Sequence, residues 1–217
     1  MKIRIYLSIF FLLLISKFAF GQLEGIDPEY LETLKGRSEK IVQQLELMDA
    51  RQEARVQEII VIQYYQLSLI HDARDEAMAK IGNLSGTEKE DAKKAIQDES
   101  EARLYKLHAA YLASLSAELS QDQVEKVKDG MTYGVLRHTY RGYLNLLPDL
   151  TDDQKRYIYK NLVEAREYAM DAGSSKEKHG WFGKYKGRIN NYLSAEGYDL
   201  KQAEEKLNSR NEEHTKE

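Results

Sequence analysis

One polar pattern constrains the fold of this chain more than any other feature: a Ser, Thr or Asp followed three residues later by Glu or Gln. In such a capping box the first side chain accepts a hydrogen bond from the backbone N–H three residues on, and the second side chain bonds back, so the pattern marks a helix start. It occurs at Asp49/Gln52, Thr87/Glu90, Ser120/Gln123, Thr151/Gln154, Ser174/Glu177 and Asp199/Gln202. Asp27-Pro28 marks a further start, because proline suits the first helical position.

Helix ends and apolar spacing agree with these starts. Glycine or proline commonly follows the last turn of a helix, and such residues stand at Gly82, Gly130, Pro148, Gly173 and Gly197. Apolar residues recur at helical spacing between the marks, as in the stripes Val56, Ile60, Leu67, Ile70 and Ile96, Leu104, Leu107, Tyr111, Leu115. The sequence therefore predicts an all-α fold, with helices near 28–47, 50–81, 88–119, 121–129, 131–147, 152–172, 175–195 and 200–210.

The two longest predicted helices define the architecture. Because only a short polar loop at 82–87 joins them, we expect a long antiparallel hairpin, which the shorter helices complete to a single domain over 22–207. The tail, 208–217, contains no apolar residue and is predicted to be disordered. The chain has no Cys, so packing must stabilise it, and thiolate chemistry is excluded.

Residues 1–21 are predicted to be a cleavable secretory signal peptide. Lys2 and Arg4 precede a largely apolar run at 5–20, and Ala-Phe-Gly at 19–21 suits cleavage directly afterwards. The uninterrupted apolar part is shorter than the roughly 20 residues that span a bilayer; an uncleaved N-terminal anchor is the alternative. We therefore expect a periplasmic or secreted protein with no stable membrane anchor after cleavage.

The rest of the chain is acidic. Without the three basic residues of 1–21, 29 Lys and Arg face 36 Asp and Glu, which gives a net charge of −7. Nucleic-acid binding is not expected of such a protein. P-loop, dinucleotide-binding and nucleophile-elbow motifs are absent, which disfavours nucleotide enzymes and the usual serine hydrolases. The sequence predicts no metal or cofactor site, because the His71/Asp75 pair is more typical of a salt network. It leaves the oligomeric state open.

The segment 164–198 concentrates side chains that suit ligand binding. It holds the only Trp of the chain, five basic residues between 174 and 198, and glycines that let a ligand approach the backbone. Aromatic rings stack on sugar rings, and Lys and Arg suit the carboxylates of uronic acids. The candidate ligand residues are Trp181, Tyr185, Lys184, Lys186, Arg188, Asn190 and Asn191, with Tyr133 from the glycine-flanked break at 129–140. Alternatively, Trp181 and Phe182 fill the core and the lysines form a solvated face.

Four residues are candidates for catalysis if the protein is an enzyme. Glu164 and Glu167 lie on one helical face, and neighbouring carboxylates can act as acid and base in glycoside chemistry. Asp129 is a third candidate carboxylate, and His179 is a further candidate acid or base. The alternative is a solvated acidic face with Arg166 nearby.

Several stretches of the chain carry a resemblance to a known family. They are 126–135, 139–144, 147–150 and 164–198, with 71–75 and 107–111 in the long helices, and the similarity runs from about Tyr30 to Ala203. Together they resemble an exported bacterial family catalogued as domain of unknown function 3826. The resemblance implies a helical periplasmic protein of Gram-negative, polysaccharide-degrading bacteria in a carbohydrate-utilisation setting. It supplies no catalytic residue.

A second, local resemblance adds an alternative function. The pattern Leu-[Ser/Thr]-x-x-Gln at 119–123 and 150–154 is similar to the repeated motif of small periplasmic chaperones of the Spy and CpxP type. A capping box with an apolar residue ahead of it has the same pattern. Three hypotheses stay open: an oligosaccharide-processing enzyme, a binding or accessory protein without turnover, and a helical chaperone. The chaperone hypothesis predicts an exposed apolar face on 50–119, whereas the other two predict that Trp181 lines a ligand site.

Overall fold

The computed structural model describes Leu23 and residues 25–214, with side chains as far as Ser209. This part of the chain is all-α, as predicted, and contains no strand. Its α-helices are α1 (Pro28–Val42), α2 (Ala50–Lys80), α3 (Gly86–Glu118), α4 (Gln121–Met131), α5 (Val135–Leu146), α6 (Asp152–Met170), α7 (Ser175–Ala195) and α8 (Leu200–His214), with a 3₁₀ turn at Gln43–Leu45. The predicted signal peptide at 1–21 lies outside the described residues.

The helices form two compact units, Met1–Val124 and Glu125–Glu217, with the boundary inside α4. The interpretation of 22–207 as a single domain stays a prediction. The last helix runs to His214, so 208–214, which the sequence analysis assigned to a disordered tail, are helical. None of the helices among the described residues has the length and apolar character needed to cross a membrane.

Most of the predicted helix starts carry cap hydrogen bonds. Reciprocal capping boxes are present at Ser120/Gln123, Thr151/Gln154 and Ser174/Glu177. Asp27 and Asp49 each cap a helix through one hydrogen bond from a backbone N–H. The predicted start at Thr87 is wrong, because α3 begins at Gly86 and its N-cap, Ser85, makes no side-chain cap bond. Gly86 has a φ of +59°, a left-handed conformation that favours glycine.

The first unit contains the predicted helix hairpin. At its base, Arg55 on α2 makes two hydrogen bonds, of 2.9 and 2.8 Å, to the carboxylate of Glu118 on α3. All four residues of the predicted α2 stripe are buried, and so are Tyr111 and Leu115 of the α3 stripe. Among the described residues of α2 and α3, the large hydrophobic side chains that are exposed are Leu69 and Tyr105. This differs from the exposed apolar face that the chaperone hypothesis predicts.

The second unit is built on the packing of α6 against α7, which α5 and α8 complete. Its core consists of Leu136, Tyr143, Leu147, Leu150, Ile158, Leu162, Ala165, Ala169, Phe182, Tyr185, Ile189 and Leu193. A buried lysine, Lys178, ties the two central helices together where they connect. Its ammonium group donates to the carbonyl oxygens of Ala169 and Met170, at 2.9 and 3.2 Å. These are terminal carbonyls of α6, which a cation stabilises.

A break in the backbone separates α4 from α5. The sequence predicts a helix from residue 131, but α5 begins at Val135, because Tyr133 and Gly134 both adopt left-handed conformations, with φ of +58° and +66°. The N–H of Gly134 donates to the carbonyl oxygen of Asp129 at 2.8 Å, which closes the end of α4. Glycine takes this conformation readily, whereas for Tyr133 it carries a steric cost.

Candidate functional site

The facing sides of α6 and α7 form a continuous series of paired side chains, which we name the α6–α7 ladder. Its pairs are Tyr168 with Trp181, Glu164 with Tyr185, Asn161 with Arg188, Tyr157 with Tyr192, and Gln154 with Glu196. Residue numbers fall along α6 as they rise along α7, so the two helices are antiparallel. The members on each helix are spaced by three or four residues, and such residues lie on one helical face.

At one end of the ladder an aromatic pair reaches the surface. The rings of Tyr168 and Trp181 are stacked with their centroids 4.5 Å apart and an interplanar angle of 16°. Tyr168 is 48% exposed, and Trp181 is half-buried against the edge of the core. The ammonium group of Lys184 lies over the Trp181 ring, 4.8 Å from its centroid. We name this group (Tyr168, Trp181, Lys184) the aromatic platform.

The next pairs hold a carboxylate in a fixed position beside the aromatic platform. The hydroxyl of Tyr185 donates to Glu164 Oε1 at 2.7 Å, and Arg188 Nη1 lies 3.6 Å from Glu164 Oε2. The Arg188 guanidinium also stacks on the Tyr185 ring, at 4.5 Å, and donates to Asn161 at 3.4 Å. Burial, together with the hydrogen bond to Glu164, raises the pKa of Tyr185 to about 12. This phenol is therefore a hydrogen-bond donor at neutral pH.

The ring of Tyr185 is part of the core, and only its hydroxyl serves the ladder. Tyr185 is 2% exposed, so it positions Glu164 and does not offer a face to a ligand. Glu164 and Arg188 are different, because their side chains are 45% and 46% exposed and available to a bound molecule. The sequence predicts that Tyr185 and Trp181 both contact a ligand, but in the structure the two rings have different roles.

A buried ionic cluster lies on another side of α6. Arg166, which is 2% exposed, donates to Asp129 at 2.7 Å and to Glu125. Lys128 bonds both carboxylate oxygens of Glu167, at 3.0 and 3.2 Å. Burial opposes the charge of Arg166, but hydrogen bonds to Asp129 and Glu125 outweigh it and raise the pKa above its ordinary value. These partners fix α4 against α6.

The four candidate catalytic residues are therefore not assembled into one centre. Glu164 belongs to the ladder, whereas Glu167 and Asp129 belong to the ionic cluster, where Arg137 Nε also donates to Asp129 at 2.5 Å. Paired acid–base catalysis needs two carboxylates that face one reacting bond. The hydroxyl of Tyr185 donates to Glu164, whereas the ammonium group of Lys128 donates to Glu167, so the two carboxylates of one predicted helical face bind different partners.

The fourth candidate, His179, pairs with Tyr133 from the backbone break. Their rings are stacked at 5.9 Å with an interplanar angle of 18°. His179 Nδ1 donates to the carbonyl oxygen of Ser175 at 2.7 Å, which leaves Nε2 as the acceptor nitrogen. This contact brings the break at 132–134 to the first turns of α7. The His179 ring points away from Trp181, because side chains two positions apart on a helix differ in direction by about 200°.

The other predicted ligand residues fall on separate faces of α7. The carbonyl of Lys186 and the side-chain oxygen of Asn190 accept from the hydroxyl of Tyr143, at 3.4 and 2.6 Å. Burial raises the pKa of Tyr143 to about 12. Asn191 is exposed on the outer face of α7. Beside it on that face are Gly180, Gly183 and Gly187, where an added Cβ would meet nothing within 4 Å.

Sequence reasoning missed two of the residues that build this surface. Tyr168 forms half of the aromatic platform, and Tyr157 forms a second aromatic pair with Tyr192, with ring centroids 3.9 Å apart. A signal was present, because Tyr157, Glu164 and Tyr168 are spaced by seven and four residues and lie on one face of α6. The spacing on α6 does not reveal that α7 packs against this face in an antiparallel direction. That packing completes the candidate site.

The fold and the ladder define the class: an all-α protein whose candidate ligand surface lies along an antiparallel helix pair. The chain belongs to the family described as a protein of unknown function (DUF3826), whose model matches residues 31–212. The match covers both helical units and the whole ladder. No curated protein matches the chain.

Proposed function

We propose that this protein is an exported binding protein for oligosaccharides, and that it holds an acidic sugar on the aromatic platform. The observation that carries the proposal is the stacked, half-exposed pair Tyr168–Trp181 with the ammonium group of Lys184 above it. Aromatic faces favour the apolar faces of sugar rings. A cation beside such a face selects a ring that carries a carboxylate.

The charges around the platform support a uronic acid over a neutral sugar. In the part of the chain that the structure describes, no carboxylate lies within ion-pair distance of Lys184, whereas Arg188 is already paired with Glu164. Lys184 is thus a cation of the platform that a ligand carboxylate can reach without displacing a protein carboxylate. Glu164 and Arg188 lie next along the ladder and present polar atoms to sugar hydroxyls.

The arrangement of carboxylates favours binding over turnover. Among the central pairs of the ladder, Glu164 is the one exposed carboxylate. Glu167 and Asp129 are held by cations in the ionic cluster. A glycoside hydrolase of the usual kind uses two carboxylates on opposite sides of the bond that it cleaves. We therefore place this protein with binding or accessory proteins. Export to the periplasm, which the first 21 residues and the family resemblance suggest, belongs to the same proposal.

Calorimetric titration of the mature chain tests this function. The probes are linear oligosaccharides from glucuronoxylan, pectin and cellulose, in which uronate-bearing and neutral chains are compared. We expect saturable binding of a uronate-bearing chain, and Lys184→Ala should weaken it about tenfold, because one charge-assisted hydrogen bond contributes about 1.5 kcal/mol. The matched control is Lys186→Ala, which removes a lysine from the opposite side of α7.

Two results would contradict the proposal. One is the absence of binding to every probe by a protein with a native circular dichroism spectrum. The other is an equal loss in Lys184→Ala and Lys186→Ala, since the effect would then reflect general positive charge and not the aromatic platform.

A further inference from the structure

We propose that the α6–α7 ladder carries a second sugar platform at Tyr157 and Tyr192, and that the ligand is a linear oligosaccharide long enough to contact both platforms. This inference rests on the proposed function and adds to it the form of the ligand. The binding surface then extends from a site for one sugar ring to a surface for a chain of several rings.

The second pair repeats the geometry of the first. The rings of Tyr157 and Tyr192 are stacked at 3.9 Å with an interplanar angle of 26°, and both residues are half-buried against the edge of the same core. Tyr157 precedes Tyr168 by eleven positions on α6, and Tyr192 follows Trp181 by eleven positions on α7. At about 1.5 Å per residue, the two stacks lie about 16 Å apart along both helices.

The surface between the stacks offers polar groups along its length. Glu164 and Arg188 are half-exposed there, and Arg188 donates to Asn161 on the opposite helix. A chain of sugar rings presents hydroxyl groups at regular intervals, and such groups can both donate to a carboxylate and accept from a guanidinium. The order along the ladder is therefore aromatic, polar, aromatic, which matches a polymer that lies along the helix pair.

The two ends of the ladder differ in charge, and this gives the ligand a direction. Lys184 stands at the first platform, whereas the ladder ends beyond Tyr192 at the carboxylate of Glu196, which accepts from Gln154. Burial raises the pKa of Tyr192, and the Glu196 and Asp153 carboxylates add to that effect. A uronate would be repelled at this end, so the ring over Tyr192 is neutral. The ligand class is thus a largely neutral chain with a uronate near one end.

The test compares short and long ligands on matched variants. Disaccharides and hexasaccharides from glucuronoxylan that carry one glucuronate are titrated by calorimetry into the mature chain. Tyr192→Leu removes the second aromatic face while keeping an apolar side chain, and circular dichroism checks that the variant is folded. Tyr159→Leu is the control, because Tyr159 is an exposed tyrosine of α6 that pairs with Tyr140 outside the ladder.

We expect the hexasaccharide to bind about tenfold more tightly than the disaccharide, because the longer chain makes one further aromatic contact. Tyr192→Leu should abolish that difference, and Tyr159→Leu should leave it intact. Equal affinities of the two lengths, or an unchanged difference in folded Tyr192→Leu, would overturn the second platform and leave the proposed function standing. A lack of binding to either length, and to every other uronate-bearing probe, would overturn both.

Discussion

Arg166 on α6 donates to Asp129 on α4 at 2.7 Å, and both residues are buried, at 2% and 8% exposure. This ion pair joins the segment before the backbone break to the helix that carries Glu164 and Tyr168. Arg166, which the sequence places near an acidic helix face, and Asp129, a candidate catalytic carboxylate, thus form the ionic centre of the second unit. Asp129 has both of its oxygens occupied by guanidinium groups.

Replacement of Arg166 by leucine should destabilise the protein strongly. The change leaves the buried Asp129 with a single, mostly exposed partner, and loss of one member of a buried ion pair costs about 3–5 kcal/mol. Arg137→Ala is the control, because the Arg137 side chain is 59% exposed and such pairs contribute up to about 1 kcal/mol. Urea denaturation measures both. Similar losses in the two variants would show that burial of Arg166 does not stabilise the fold.

Stability should fall in alkaline solution because of two tyrosines. Burial raises the pKa of Tyr143 and Tyr185 from 10.0 to about 12. The folded state therefore holds these phenolic protons more tightly than the unfolded state does. Stability that is fully present below pH 10 is lost as the pH rises from 10 toward 12. In thermal melts over this range, Tyr143→Phe and Tyr185→Phe should lessen the loss, whereas Tyr105→Phe, at an exposed ring, should not. An unaltered loss in the double variant would contradict this assignment.

Gly187→Ala should stabilise the fold and leave ligand binding unchanged. The added Cβ meets nothing within 4 Å, and alanine favours a helix interior by about 0.5–1 kcal/mol over glycine. Gly187 lies on the outer face of α7, and as the residue before Arg188 it differs from Arg188 in direction by about 100°, so the new methyl group lies away from the ladder. Gly142→Ala on α5 also has open space and should give a similar gain in stability. Thermal melts and calorimetry measure the two properties, and a loss of affinity in Gly187→Ala alone would show that the ligand approaches the glycine face.

Gly134→Ala should have the opposite effect on stability. Gly134 has a φ of +66°, and a Cβ in the left-handed conformation costs about 1–2 kcal/mol. His138 is close to the glycine, but its ring would make only an ordinary contact, at 3.6 Å, with the new methyl group. The cost thus arises from the backbone. A urea midpoint equal to that of the wild type would mean that the break between α4 and α5 relaxes to accept a side chain.

Local features of the fold could be predicted from the sequence because they depend on neighbouring residues. The boxes at Thr151/Gln154 and Ser174/Glu177 are formed as predicted, since a cap needs only the residues of one turn. The start of α3 was misplaced because Gly86 turns the chain before Thr87 can act as a cap. The sequence predicts too short an α8, which runs to His214. The polar composition of 208–214 indicates that these residues are not buried, but it does not exclude a helix.

The candidate site could be predicted only in part. The segment 164–198 contributes Trp181 and Lys184 to the aromatic platform, with Trp181 packed against the edge of the core. That this surface binds a ligand stays a prediction. The partners of Glu164 and Glu167 could not be predicted, because they depend on which helix packs on each side of α6. Arg166 bonds residues 37 and 41 positions away, and sequence spacing carries no information about such contacts.

The indole N–H of Trp181 gives the most direct measurement of the central claim, that Tyr168, Trp181 and Lys184 form a sugar site. Because the chain has one Trp, its ¹⁵N-labelled mature form gives a single indole signal. We predict that a uronate-bearing oligosaccharide shifts this signal saturably, with the dissociation constant found by calorimetry. An indole signal that does not move while calorimetry reports binding would place the ligand elsewhere and contradict the account.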